Sequence, residues 1–277
     1  MPAAAGVRAA APAAPPGWRV GAQAAAGGPR RAWAYTPAMK LETSLVQDVT
    51  AAGLRVVVDS VRAAVAARGR AVLALSGGST PLPLYRALAD QDLPWERVWV
   101  AFGDERFVPL EHPDSNAGAA LAAFLDRVPV PEEQVLTWPI LEGDPHASAE
   151  AYRGKLEGAL HGFPTFDLNL LGLGDDGHTA SLFPGTGAVL QPGPTLALRA
   201  PDYARPGGWR LSLSAPALSD SRTVLFLVSG ASKARALREA FASDTASEPP
   251  TSAELDACPA RAITARERLL LVTDVAF

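Results

Sequence analysis

The stretch Asp167–Pro184, DLNLLGLGDDGHTASLFP, carries Asp175, Asp176 and His178 directly after an apolar run. An imidazole with an ordinary pKa of about 6.5 can take up a proton near neutral pH. A neighbouring carboxylate can orient the ring and stabilise its charged form. His178 therefore reads as a general base held by a carboxylate. The alternative is a structural histidine on a polar loop. Gly172, Gly174 and Gly177 loosen the backbone around it and permit a close approach by a ligand. Thr179 and Ser181 add a short polar apron, and Pro184 ends the stretch.

Three further groups can bind charge. Ser76-Gly77-Gly78-Ser79-Thr80-Pro81 lies between an apolar run and a helix start. Glycines free backbone N–H groups, the helix N-terminus adds partial positive charge, and two hydroxyls follow, so the loop suits one phosphate. The plainer reading is a βα turn with a good cap. Asp104-Glu105-Arg106 follows another apolar run, either at the sheet's crevice or as a surface ion-pair cluster. Lys233 opens a helix, where a cation works against the dipole, so it awaits an anion or is merely solvated. Arg199 and Arg210 are weaker phosphate candidates near strand ends.

Several chemistries are set aside. Gly172-Leu-Gly174-Asp-Asp-Gly177 matches GxGxxG, but no long helix follows and no acid stands about 20 positions on. Asp175 and Asp176 would also meet the pyrophosphate. No GxSxG elbow is present, which disfavours an acyl-serine mechanism. His112, His146 and His161 lie in irregular stretches without ligand spacing, so no metal is expected, and no cofactor either.

The elements that must hold these residues read as alternating strands and helices. Valines and leucines recur near helical spacing from Glu42 to Arg68, with Gly53 a weak point. Ala71–Leu75, Val98–Phe102, Leu168–Leu171, Thr195–Arg199, Arg210–Ser214, Thr223–Val228 and Leu269–Val272 read as strands. Helices are expected at Pro81–Leu88, Ala117–Leu125, Ala149–Leu160 and Ala234–Phe241. Residues 128–147 read as irregular and 244–259 as a surface loop. This order predicts an α/β fold, a mostly parallel sheet with helices on both faces, doubly wound and Rossmann-like. One catalytic domain is expected over 39–277. Residues 1–38, rich in Ala, Pro and Gly, read as a disordered tail or a misread start.

Composition narrows the class further. The 277 residues are 48% hydrophobic and carry a net charge of −4. That charge argues against nucleic acid held by bulk electrostatics. No apolar run is long enough for a transmembrane helix, and no secretory signal is visible. The single Cys258 excludes an intramolecular disulfide, fits a reducing cytosol and reads as inert. A cytoplasmic monomer or weak homo-oligomer is expected, with neither nucleic acid nor membrane as partner.

Taken in order, LSGGSTP (Leu75–Pro81), FGDERFVP (Phe102–Pro109), DSN (Asp114–Asn116), LGLGDDGHTASLFP (Leu171–Pro184) and SGASKA (Ser229–Ala234) resemble the 6-phosphogluconolactonases. The resemblance runs from about Leu41 to Val275. It implies a small sugar-phosphate lactone as ligand and its hydrolysis as reaction, with no cofactor. It implies His178 as base, Asp104 and Arg106 as pocket residues, and phosphate held by Gly77, Gly78, Ser79, Thr80 and Lys233. An Arg on the following strand is implied as well, Arg210 first and Arg199 as the fallback. Asp176 or Asp104 would orient His178, and Arg106 would steady an oxyanion. The related deaminases carry a Glu soon after the histidine, where this chain has Ser181-Leu-Phe-Pro184. A sugar-phosphate sensor of the transcription-regulator kind would need a helix-turn-helix, which residues 1–38 cannot build. Those residues also depart from the lactonase pattern.

Overall fold

The computed structural model describes residues 40–242 and 250–277, with the backbone alone of Trp18–Gly21 and Ala32–Tyr35. In chain order the first elements are β1 (Trp18–Gly21), β2 (Ala32–Tyr35), β3 (Leu41–Leu45), α1 (Val49–Arg68), β4 (Ala71–Leu75) and α2 (Pro81–Leu88). Then come β5 (Val98–Phe102), β6 (Asp104–Arg106), α3 (Asn116–Ala123), β7 (Val135–Leu136), α4 (Pro145–Leu160) and β8 (Phe166–Leu171). The last are β9 (Thr195–Arg199), β10 (Trp209–Leu213), α5 (Ala215–Ser219), β11 (Ser221–Val228), α6 (Ala234–Phe241), α7 (Ser252–Ala257) and β12 (Arg268–Thr273).

Seven strands form the main sheet in the order β3-β12-β11-β8-β4-β5-β7. Every pairing in it is parallel. All residues of β4 and β8 are buried, so both faces of the sheet are covered at its centre. Such strands read as continuous apolar runs, which is why AVLAL and LNLL were recognisable. Asp167 pins the two strands together at their N-terminal end. Its buried carboxylate accepts from Arg68 Nη2 at 2.6 Å and from the Val72 N–H at 2.8 Å. From β4 the chain winds outward through α2 to β5. From β8 it winds the other way, to β11 and β12. The winding reverses between β8 and β4, which opens a crevice at their carboxyl ends.

Several sequence expectations change. Residues 42–45 belong to edge strand β3, and the helix begins at Val49 behind the Asp48 cap, which accepts from Ala51 N–H at 2.8 Å. β3 is mostly exposed and held by its ladder to β12, so apolar periodicity cannot reveal it. Gly53 does not break α1. A Cβ there would stand 2.7 Å from Leu227 and 2.8 Å from Leu84, so the missing side chain lets the helix sit close to its neighbours. β9 and β10 leave the main sheet and join β6 in a small antiparallel one, ordered β6-β10-β9. α4 starts at Pro145 behind the Asp144 cap and so includes His146. Within 244–259, residues 244–249 lie outside the described set, but Ser252–Ala257 is helical. A reciprocal capping box between Thr251 and Glu254 starts it, a T-x-x-E signal that the sequence displays.

Within residues 1–38, read from the sequence as a disordered tail or a misread start, Trp18–Gly21 and Ala32–Tyr35 pair antiparallel, Trp18 opposite Tyr35 and Val20 opposite Trp33. The remaining residues of that stretch lie outside the described ones. Among the described residues no helix is long and apolar enough to cross a membrane.

Candidate active site

The loop after β8 is folded around its glycines. The Gly174 N–H donates to the His178 carbonyl at 2.8 Å, and the Gly177 N–H donates to the Gly174 carbonyl at 3.1 Å. Gly177 has φ +87°, and its carbonyl accepts from the Ala260 N–H at 3.1 Å, so the segment after α7 buttresses the loop from behind. The result brings Asp176 Oδ1 to 2.6 Å from His178 Nδ1, with the His178 N–H donating to the same oxygen at 3.1 Å. Tyr203 donates its hydroxyl to Asp176 Oδ2 at 2.9 Å. Burial alone would raise the Asp176 carboxyl. The bonds and charge of His178, with the Tyr203 bond, outweigh it and hold the group well below the usual carboxylate range. Asp176 is therefore an ionised partner for the imidazole, and Nε2 is the ring nitrogen left for chemistry.

The Gly77–Thr80 loop follows β4 across the crevice. A Cβ on Gly77 would lie 1.7 Å from Asn116 Oδ1, so this glycine is required by the Asn116 side chain. Gly78 has φ +96°. Behind them the buried Tyr85 hydroxyl donates to the Ser76 carbonyl at 2.7 Å and accepts from the Ser76 N–H at 3.1 Å. Pro81 sits in the first turn of α2, and the Thr80 side chain makes no capping bond there. The loop thus presents a helix start whose N–H groups Thr80 does not consume.

Asp104, Glu105 and Arg106 prove to have three separate tasks. Glu105 points into the protein, where its carboxylate accepts from Asn116 N–H at 2.7 Å and Ala117 N–H at 2.9 Å, securing the start of α3. Burial pushes its pKa up. Asp104 is buried, with Oδ2 accepting from Ser181 Oγ at 2.7 Å and Oδ1 from Asn116 Nδ2 at 3.2 Å. Both oxygens are engaged away from the imidazole. Of the two candidate carboxylates, Asp176 is the one bonded to the His178 imidazole. Arg106 donates to the Asp114 carbonyl at 3.0 Å and to Asn116 Oδ1.

Two adjoining hollows, of about 240 and 360 Å³, share Asp104, Arg106, Gly174, His178, Ala180 and Lys233 as their common wall. The first is completed by the Ser76–Thr80 loop and Asn116. The second is completed by Tyr203, Arg205 and Arg210. Lys233 reaches the shared wall from the 3₁₀ turn Ala231–Lys233 after β11, with Nζ 2.7 Å from Asp175 Oδ1. That bond from Lys233 draws the Asp175 carboxyl below its ordinary value. His178, Asp176, Asp104, Arg106, Gly77, Gly78, Ser79, Thr80 and Lys233 are thus brought to one crevice. Arg210 borders only the second hollow. It is buried, and its guanidinium donates to the carbonyls of Pro206, Gly207 and Trp209. Arg199 borders neither hollow. It is exposed at the end of the outer strand β9, with its guanidinium 5.1 Å from the Trp209 ring centre. The residues lining the crevice thus do not include Arg199, whose strand β9 runs in the small sheet.

Sequence reasoning missed Tyr203, which stands alone in a Pro- and Gly-rich stretch without any spacing signal. It also undervalued Asn116 and Ser181, each of which holds Asp104 in place.

Comparison with known proteins shows the family and the fold. A family model described as glucosamine-6-phosphate isomerases/6-phosphogluconolactonase matches residues 45–271. A 6-phosphogluconolactonase of a Synechocystis species is 44% identical over 216 residues, 76% of this chain and 85% of that protein. A human 6-phosphogluconolactonase is 39% identical over 183 residues, 62% of this chain and 69% of that protein. The crystal structure of the Thermotoga maritima 6-phosphogluconolactonase superposes with a TM-score of 0.74 at 26% identity, covering 84% of this chain and 99% of that one. A monomeric glucosamine-6-phosphate deaminase, at 21% identity and a TM-score of 0.68, shares the fold. The family model spans the phosphate loop, the Asp104–Arg106 strand, the Asp176–His178 loop and the Lys233 turn, and this chain belongs to the glucosamine-6-phosphate isomerase/6-phosphogluconolactonase family.

Proposed function

We propose that this chain hydrolyses 6-phospho-D-glucono-1,5-lactone to 6-phosphogluconate, with His178 activating the attacking water. The observation that carries the mechanism is the 2.6 Å bond between Asp176 Oδ1 and His178 Nδ1, made beside a helix-start loop and Lys233. The names of the similar proteins support the substrate.

The phosphate lies on the Gly77–Thr80 loop with Lys233, which releases Asp175 to meet it. Binding energy at that remote group holds C1 near His178. Nε2 takes a proton from water as the water oxygen attacks the lactone carbonyl. Asp176 stays ionised and stabilises the imidazolium that forms. Arg106, on the wall shared by both hollows, stands beside the developing oxyanion. The tetrahedral intermediate collapses with cleavage of the bond between C1 and the ring oxygen. The imidazolium returns its proton to that oxygen, and the acid product ionises. Asp104 does not touch the imidazole; it fixes Ser181 and Asn116 and so shapes the pocket floor.

The test is hydrolysis of freshly generated lactone, corrected for its spontaneous rate. Wild type accelerates it, and His178→Ala loses about 10²–10⁴-fold in kcat, the usual worth of a general base. Near wild-type turnover in the variant would overturn the base. No acceleration by wild type, with 6-phosphogluconate still bound, would turn the reading toward a sensor.

A further inference from the structure

The connection from β9 to β10, residues 200–208, forms an arm along the second hollow. Arg210 anchors its far end from beneath through the carbonyls of Pro206, Gly207 and Trp209. At its other end Tyr203 is 59% exposed, too open for packing to hold it. Its directed contact is the hydroxyl bond of 2.9 Å to Asp176 Oδ2. The other oxygen of the same carboxylate holds His178 Nδ1. Tyr203, Asp176 and His178 therefore form one hydrogen-bonded chain that begins on the arm and ends at the ring.

Resting on the lactonase reading above, we propose that Tyr203 is a positioning residue: it fixes the rotation of the Asp176 carboxylate, and through it the orientation and proton affinity of His178. A carboxylate held at one oxygen alone can turn about its last torsion, which is soft. A donor on the second oxygen removes that freedom. It also draws negative charge away from the oxygen facing the imidazole. Partial desolvation, with the bond to Asp176 and its charge, pushes the Tyr203 phenol up to about 12, so it remains a donor throughout the neutral range. The charged groups around the pair are Asp175 and Lys233 on one side, Asp104 and Arg106 at the strand end, Arg205 on the arm and Arg210 on β10 beneath it. A change from Tyr to Phe alters none of them.

The experiment is Tyr203→Phe, read in two ways. In lactone hydrolysis, kcat falls about 3–10-fold with KM within about twofold, because the phenol does not bind substrate. The acid limb of kcat/KM moves to higher pH, because more of the Asp176 charge then faces the imidazolium. The second reading needs no turnover. The ring resonances of the four histidines are titrated by NMR, with His178 assigned by His178→Ala. The His178 midpoint rises by about a few tenths of a pH unit in Tyr203→Phe. An unchanged midpoint with unchanged kcat overturns the proposal. So does a raised KM with kcat and midpoint unchanged, which would make Tyr203 a pocket wall only. A midpoint that moves in a protein without lactonase activity supports the chain of bonds while removing the proposed reaction.

Discussion

Gly174→Ala should disable the site while leaving the fold. An ideal Cβ at Gly174 falls 2.0 Å from His178 Nδ1, 2.3 Å from its Cε1 and 2.6 Å from Asp176 Oδ1. Ordinary contact begins at 3.4 Å, so the imidazole has to retreat by 3.4 − 2.0, about 1.4 Å, or the loop has to open. Neither partner can yield cheaply. His178 is tied to Asp176 at 2.6 Å, and the Gly174 N–H is itself bonded to the His178 carbonyl at 2.8 Å. Misplacing a reacting group by about 1 Å can cost about 10²-fold in rate. We expect kcat to fall at least about 100-fold, which is about 2.7 kcal/mol of barrier at about 1.36 kcal/mol per tenfold. The loop lies at the end of β8 and not within the sheet, so the melting temperature should drop by only a few degrees. The assay is lactone hydrolysis with the spontaneous rate subtracted, beside a thermal melt. A folded variant with kcat within about threefold of wild type would refute both the geometry and the role assigned to the Asp176–His178 bond.

Two further outcomes follow from the same site. Lys233→Ala should raise KM about tenfold or more with a smaller change in kcat, because a phosphate ligand remote from C1 contributes mainly to binding; a steady-state titration that returns the wild-type KM would remove Lys233 from the phosphate site. Asp176 should also mark the acid side of stability. Its folded pKa lies below the ordinary 3.8, so the unfolded chain binds the proton first and the contribution of Asp176 is complete above about pH 4. That contribution is lost as pH falls toward the folded value. Thermal melts of wild type and Asp176→Asn should differ most near neutral pH and converge below about pH 4, whereas a gap constant from pH 7 to pH 3 would contradict the sign.

The order of apolar runs and polar loops along the chain is enough to read off the central strands and the kinds of chemistry they carry. β4 and β8 are buried on both faces, so β4 appears as an uninterrupted apolar run and β8 as an apolar run broken only by Asp167 and Asn169, and the loops that follow them carry the glycines, hydroxyls, acids and imidazole. Even Pro81–Leu88 and Ala234–Phe241 were legible to the residue, because Pro near a helix start and a helical apolar stripe are local signals. Edge strand β3 was not legible, because its stability comes from main-chain bonds to β12, a partner more than two hundred residues away. Nor could the sequence choose between Asp176 and Asp104 as the partner of His178. That choice depends on Ser181, from the loop after β8, and Asn116, at the start of α3, occupying Asp104. Gly172 and Gly174 look alike in the sequence, yet a Cβ meets nothing within 4 Å at the first and the imidazole at the second. Arg199 and Arg210 likewise look alike, two arginines near strand ends. Only the antiparallel turn between β9 and β10 sends one out to Trp209 and buries the other beneath the arm that carries Tyr203 to Asp176. Local spacing encodes which elements form and what they carry. Which side chains meet is decided by the reversal of winding between β8 and β4, a property of the whole sheet that no short stretch contains.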